Sequence, residues 1–250
     1  MKPKLLLLIF LFPVALKAQT KLVVNIDKDA SLKERYYVLK GDNKIREGKY
    51  EASLGYYNFL VSEGLYHNNL KDSIWKYYAF NNILLLEGAY AVGKKIGVWK
   101  AYNKRQQVQV EYDYTAGKLL FFKPSLTDST RQYNVINGVD TITTLLDRPP
   151  VFLEGNALLY STLTRTVKYP PNTRLSGDVI ISVTIDAAGK VLGHRTKSHL
   201  GGGLDEEALL AVKAIEGDWL PGILNGKPVT AEYDVVVTFN RVPDIMINSR

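Results

Sequence analysis

The sequence predicts an α+β protein in which an all-β array of hairpins precedes a C-terminal unit of three strands and two helices. Two observations lead to this fold class. Aromatic residues and glycines repeat every 24 residues in the first half of the chain, and in the second half apolar residues recur first at helical and then at alternating spacing. Cysteine is absent, so we expect packing alone, without disulfides or thiolate metal sites, to stabilise the fold.

The first 18 residues have the layout of a secretory signal peptide. Two lysines precede an apolar run over residues 5–15, and Ala18 offers a small residue at a cleavage point. The run is shorter than the roughly 20 residues that span a bilayer. We therefore predict export to the periplasm with cleavage near Ala18. The alternative is an uncleaved inner-membrane anchor, because the residues before Ala18 depart from the usual small-x-small pattern.

The formal charge of +7 includes three lysines of the predicted signal peptide, and the rest of the chain carries 29 basic against 25 acidic residues. This mild excess includes no dense tract of lysine and arginine, whereas nucleic-acid binding requires a clustered basic face. We expect no nucleic-acid partner and no small-molecule substrate.

A 24-residue repeat runs through residues 19–122. The segment 63–66 (Glu-Gly-Leu-Tyr) matches 87–90 (Glu-Gly-Ala-Tyr), and Trp75 matches Trp99. Within each unit, aromatic and branched residues alternate with lysines, which is the period of a β-strand. Each unit is therefore predicted to be a β-hairpin, and because a single hairpin is marginally stable, successive hairpins should add to one sheet.

The order Gly-x-Tyr followed by Gly-x-Trp-x-x-Tyr resembles the MORN-repeat family over about residues 34–122. The central units match most clearly, although Ser73 stands where the next unit has Gly97, and Tyr112 stands where earlier units have Gly64 and Gly88. The resemblance implies an array of MORN-like hairpins that serves as a binding or scaffolding surface and has no catalytic role.

Residues 123–151 interrupt this pattern with a polar opening and end at Arg148-Pro149-Pro150. The pair Asn137-Gly138 lies between apolar residues, which is typical of a tight hairpin turn. We predict a linker that contains one local hairpin.

The remaining segment changes period twice. Apolar spacing predicts helices over 156–167 and 205–215, and alternation predicts strands over 178–186, 190–197 and 233–239. Prolines at 170 and 171 must end the first helix.

Residues 152–240 resemble the TonB C-terminal domain. The likeness rests on the motifs Tyr169-Pro170, Gly177, Asp186-x-x-Gly189-Lys190, Leu204-Asp205, Ala208, Trp219-x-Pro221, Gly226-Lys227-Pro228 and the closing strand to Phe239. The resemblance implies a three-stranded antiparallel sheet with two helices on one face, followed here by a tail over 241–250. It also implies that an extended partner segment, the TonB box of an outer-membrane receptor, pairs with the edge of the last strand by β-augmentation.

The predicted partner-binding residues follow from this likeness: Tyr169, Pro170, Glu232, Tyr233, Asp234, Val235, Val236, Val237 and Thr238. Tyr169-Pro170 has an equally good structural interpretation as the end of the first helix. The predicted partner is an outer-membrane receptor or another envelope protein. TonB-like transducers carry a membrane anchor and a proline-rich spacer ahead of this domain, whereas this sequence has a predicted signal peptide and hairpin repeats there. We therefore expect the binding fold to be kept without energy transduction.

A second class of function remains open, namely a structural envelope scaffold that acts through its MORN-like surface. In that case the C-terminal domain would associate with a second copy, because edge strands readily pair with copies of themselves. The sequence predicts no phosphate-binding site, because the glycine run 201–203 precedes the acidic residues 205–207, which would repel a phosphate. The three histidines lack a zinc pattern. We expect no catalytic residue, no metal and no cofactor.

Overall fold

The computed structural model describes residues 19–27, 32–55, 58–171 and 173–240. The predicted signal peptide (1–18) and tail (241–250) lie outside these residues. Two large antiparallel sheets and three α-helices make up the described chain, together with a short 3₁₀ turn at Phe80–Asn82. Within the described ranges, the helices are too short or too polar to cross a membrane.

The N-terminal half forms one nine-stranded sheet in which each strand pairs with the next along the chain. Asparagines occupy its tight turns: Asn68, Asn69, Asn81 and Asn82 all have positive φ, a conformation that asparagine tolerates better than most residues. The strands are β1 (Thr20–Asp27), β2 (Leu32–Leu39), β3 (Asp42–Leu54), β4 (Phe59–His67), β5 (Leu70–Ala79), β6 (Ile83–Ala91), β7 (Lys94–Tyr102), β8 (Val108–Asp113) and β9 (Lys118–Phe122).

The repeated tryptophans occupy equivalent places in this sheet. Trp75 and Trp99 are 1% and 2% exposed, and each indole N–H donates to a main-chain carbonyl ten residues earlier, at 3.0 and 3.1 Å. Each ring lies on a glycine of the preceding strand, because a Cβ at Gly64 or Gly88 would come within 2.4 or 2.1 Å of the ring. The glycine of Gly-x-Tyr is therefore required by the tryptophan that covers it.

Ser73 replaces the glycine that the next repeat unit has at position 97 but keeps the same backbone conformation. Ser73 and Gly97 have φ values of 57° and 60°. Both therefore adopt the left-handed conformation, which glycine adopts at lower cost than serine.

The C-terminal half forms a six-stranded sheet, so the prediction of three strands was incomplete. The elements of this half are α1 (Leu126–Thr130), β10 (Tyr133–Asn137), β11 (Asp140–Thr144), β12 (Val151–Phe152), α2 (Asn156–Thr166), β13 (Gly177–Ile185), β14 (Val191–Thr196), α3 (Leu204–Lys213), β15 (Trp219–Leu220), β16 (Gly222–Leu224) and β17 (Lys227–Phe239). The order of strands in the sheet is β11-β10-β17-β13-β14, with β16 also paired to β17.

The predicted helices α2 and α3 share one core with the inward residues of β13 and β17. Leu163 of α2 and Ala208 of α3 are buried there together with Ile181 and Val235. Burial of such apolar area is the main driving force for docking the helices onto the sheet.

The hairpin predicted at Asn137-Gly138 is present, but it belongs to the C-terminal sheet rather than to a linker. Val135 in β10 pairs with Ala231 of β17, and Tyr133 and Val135 are buried. The turn residues predicted this hairpin correctly, whereas its attachment to a strand about 100 residues away has no local sequence signal.

A shared apolar contact connects the two halves of the protein. The two-stranded pairing of β12 with β15 places Val151 and Leu153 in the core of the nine-stranded N-terminal sheet, with Leu158 and Leu220 packed against that core. The C-terminal unit therefore lies against the tryptophan-bearing core of the N-terminal sheet.

Candidate partner-binding groove

The last strand, β17, presents alternate residues to its two faces as predicted. Tyr233, Val235, Val237 and Phe239 are all at most 3% exposed and belong to the core beneath the helices. The intervening residues lie on the opposite face, where Val236 is half-buried and Thr238 is exposed. Substitutions of Val236 and Thr238 are therefore expected to leave the core packing unchanged.

The two edges of β17 differ. One edge pairs with β13 from Ala231 to Phe239. On the other edge, β16 and β10 pair only as far as Ala231, and no strand of the described chain pairs with that edge from residue 232 onward. This second side is called the outer edge.

The backbone groups of the even-numbered residues point to the outer edge. Arg131, just ahead of β10, donates from Nη1 to the carbonyl of Asp234 at 3.3 Å. Since backbone groups alternate sides with period two along a paired strand, those of Val236 and Thr238 also face the outer edge.

A groove of about 410 Å³ runs beside this edge. Helix α2 forms its far wall, and Tyr169 also lines it. The lining residues are Tyr160, Leu163, Thr164, Val167, Tyr169, Val236, Val237, Thr238, Phe239 and Asn240. Backbone donors and acceptors along one wall and apolar side chains along the other suit an extended peptide.

The predicted pair Tyr169-Pro170 divides between two environments. The ring of Tyr169 meets that of Phe239 edge-on, with centroids 5.9 Å apart, and its hydroxyl donates to the carbonyl of Leu175. Pro170 instead lies against the start of α3, where its ring is 3.4 Å from the Cβ position of Gly203. Tyr169 thus faces the groove, and Pro170 packs elsewhere.

The carboxylates of Glu232 and Asp234 are held within the sheet. Arg195 donates to Glu232 at 2.8 Å and Lys197 to Asp234 at 2.7 Å. Burial alone would raise the pKa of Glu232, but hydrogen bonds from Arg195 and Asn134 outweigh it and the pKa is lowered. On the outer edge, Arg131 donates to the Asp234 carbonyl and Asn134 of β10 donates to the Glu232 carboxylate, which leaves residues 236–240 as the accessible part of this edge.

A buried aspartate that the sequence patterns did not indicate fixes the groove walls relative to one another. Asp128 is 7% exposed and accepts from the hydroxyl of Tyr233 at 3.1 Å and from the amide of Asn156 at 3.2 Å. Because Tyr233 belongs to β17 and Asn156 begins α2, Asp128 joins both walls. Ser125 caps the short helix that carries it, and a serine three residues before an acidic residue is the one available sequence signal.

Comparison with known families agrees with the likeness seen in the sequence. Residues 167–240 match the family model of the Gram-negative bacterial TonB protein C-terminal. Neither a curated protein nor a solved structure is significantly similar to the chain. The TonB-type match begins at Val167 in the groove wall and ends at Asn240, the last residue of the groove.

The TonB-type segment therefore includes the whole outer edge of β17 but only part of the groove. Tyr160, Leu163 and Thr164 on α2 precede the match, as does β10, which covers the first part of β17. The elements that narrow the accessible edge to residues 236–240 thus lie outside the matched residues.

Proposed function

We propose that this protein is a periplasmic, TonB-like envelope protein that acts by binding rather than by catalysis. An extended segment of an outer-membrane receptor, or of another envelope protein, pairs with the outer edge of β17 at residues 236–240. The supporting observation is the unpaired edge that borders an apolar groove. With an outer-membrane receptor as its partner, the protein would take part in TonB-dependent outer-membrane transport.

The geometry favours a short partner segment. Five residues of an extended strand span about 17 Å, and pairing with a free edge supplies main-chain hydrogen bonds that require no particular side chains. Selectivity then comes from the groove, where Leu163, Val167 and Tyr169 face the added strand. We expect small apolar side chains on the face of the partner that turns toward α2.

A structural scaffold is the second candidate, and one observation favours it. Strand β1 lies at the edge of the nine-stranded sheet and exposes Leu22, Val24 and Ile26 by 43%, 49% and 61%. An exposed apolar edge strand promotes pairing with a second copy. A homodimer that forms through β1 or β17, independently of any receptor, would favour the scaffold with its MORN-like surface.

Proline at Val236 should weaken binding of a receptor segment at least about tenfold, a loss of roughly 1.4 kcal/mol. Proline removes the outward N–H and hinders pairing on that edge, whereas Val236→Ala keeps the N–H and should bind nearly as well as the native chain. Fluorescence anisotropy with peptides from the periplasmic N-terminal segments of the organism's outer-membrane receptors measures both.

Circular dichroism must show that the proline variant keeps its fold, which is expected because the N–H of Val236 faces away from β13. Thr238→Pro provides a second variant on the same edge. Full-strength binding by both folded proline variants would refute pairing at β17.

A further inference from the structure

Three equivalent clusters, each of one cation and two aromatic rings, recur along the nine-stranded N-terminal sheet. In each, the cation lies four residues before an aromatic residue of its own strand and near a tyrosine that follows at 19 or 20 residues. We call these clusters triads. They are Arg46–Tyr50–Tyr66, Lys71–Trp75–Tyr90 and Lys95–Trp99–Tyr114.

The geometry repeats as well. The guanidinium carbon of Arg46 lies 5.3 Å from the Tyr66 ring centroid, and Nζ of Lys71 lies 5.3 Å from that of Tyr90. In the third triad the corresponding distance, from Lys95 to Tyr114, is 4.9 Å. A cation at such a distance from an aromatic ring is attracted to it.

The third triad binds carboxylates that belong to the C-terminal unit. Asp218 accepts from Nζ of Lys95 at 2.8 Å and from the hydroxyl of Tyr114 at 2.9 Å, and Glu154 also pairs with Lys95. Burial disfavours the charge on Lys95, but attraction to Glu154 and the hydrogen bond to Asp218 raise its pKa overall. The third triad therefore shows that a cluster of this kind binds carboxylates.

The other two triads present the same chemistry to solvent. Lys71 and Arg46 are half-buried, and within the part of the chain that the structure describes neither forms a salt bridge. Lys71 donates to the hydroxyl of Tyr77 at 2.9 Å. Burial lowers the pKa of Lys71 although Glu216 opposes the effect, so a bound carboxylate would relieve an incompletely compensated charge.

We propose that the triads of Arg46 and Lys71 bind an acidic peptide segment of a partner protein. The two cations lie on β3 and β5, whose axes are about 9.6 Å apart because β4 lies between them. Lys71 is level with Gly48, two residues along β3 from Arg46, so the two Cα atoms are about 12 Å apart on a line oblique to the strands, and the long side chains of both cations span the difference from the ligand spacing. Acidic residues three positions apart in a polyproline II segment project on the same side about 9.3 Å apart. The partner segment therefore carries two acidic residues at this spacing and crosses the strands.

A labelled peptide, Gly-Glu-Pro-Pro-Glu-Pro-Gly, tests this surface on the full chain by fluorescence anisotropy. The native chain should bind it, and Arg46→Gln/Lys71→Gln should bind about tenfold more weakly because two charge-assisted contacts are removed. A double variant of two exposed lysines, Lys94→Gln/Lys104→Gln, removes the same charge and should change binding less than about twofold. Thermal melts should show that both double variants are folded.

Equal binding of a peptide with glutamine in place of both glutamates would overturn the proposal, as would unchanged binding by Arg46→Gln/Lys71→Gln. Vesicles that contain phosphatidylglycerol and displace the peptide would point to an anionic membrane surface and also overturn it. The surface is independent of β17, so the Val236→Pro variant should bind this peptide at full strength. A negative result in this peptide test would therefore not affect the proposed pairing of a receptor segment with β17.

Discussion

Replacing Lys95 by methionine should lower the free energy of unfolding by about 3–5 kcal/mol at neutral pH. The substitution leaves the carboxylate of Glu154, which is only 7% exposed, buried without its cation. Asp218 and the hydroxyl of Tyr114 lose the same partner. Urea denaturation followed by tryptophan fluorescence measures the loss.

The loss should shrink as the pH falls. Burial raises the pKa of Glu154 above its ordinary value of 4.5, and without Lys95 this effect is no longer opposed. The folded state then binds a proton more readily than the unfolded chain, so stability is recovered as pH falls through the raised pKa toward 4.5.

Two controls isolate the buried charge. Lys94→Met removes an exposed neighbour and should change stability by less than about 0.5 kcal/mol. Adding Glu154→Gln to Lys95→Met should recover part of the loss at neutral pH, because the buried group is then neutral. A loss at Lys95 that is small and independent of pH would show that the pair contributes little to the junction between the two halves.

Replacing Trp99 by alanine should also cost about 3–5 kcal/mol. The ring is 2% exposed, covers Gly88 and meets Tyr90 edge-on at 5.0 Å. Its removal leaves a cavity that a glycine on the neighbouring strand cannot fill. Denaturant melts of Trp99→Ala measure the effect, with Trp75→Ala expected to behave alike.

Val98→Ala is the matched control, because this neighbour is 41% exposed and lies on the opposite face. Its loss should stay below about 1 kcal/mol. A loss below about 1 kcal/mol for Trp99→Ala as well would mean that the repeated tryptophans do not hold the hairpins together.

Much of the fold follows from the sequence because its signals are local. The alternation from Tyr233 to Phe239 identified the buried face of β17, and the 24-residue spacing placed Trp75 and Trp99 in equivalent strands. Both depend on short-range periodicity that a strand must obey. Whether the array belongs with MORN repeats is still a prediction from the residue pattern.

Other features depend on contacts between distant residues and leave no local pattern. The pairing of β10 with β17, which enlarged the predicted three-stranded sheet, joins residues about 100 positions apart. Lys95 and Asp218 are separated by 123 residues, and Asp128 lies in a segment that resembles a polar linker. The contacts of Arg131 with Asp234 and of Asn134 with Glu232, which cover the first part of the outer edge, were likewise not foreseen.

Amide hydrogen exchange along β17 tests receptor pairing most directly. The amides of Val235 and Val237 face β13 and should exchange slowly with or without a receptor peptide, whereas those of Val236 and Thr238 face the groove and should gain protection of at least about tenfold when the peptide is bound. If Val236 and Thr238 exchange at the same rate under saturating peptide, the partner does not add a strand to this edge and the proposed function is wrong.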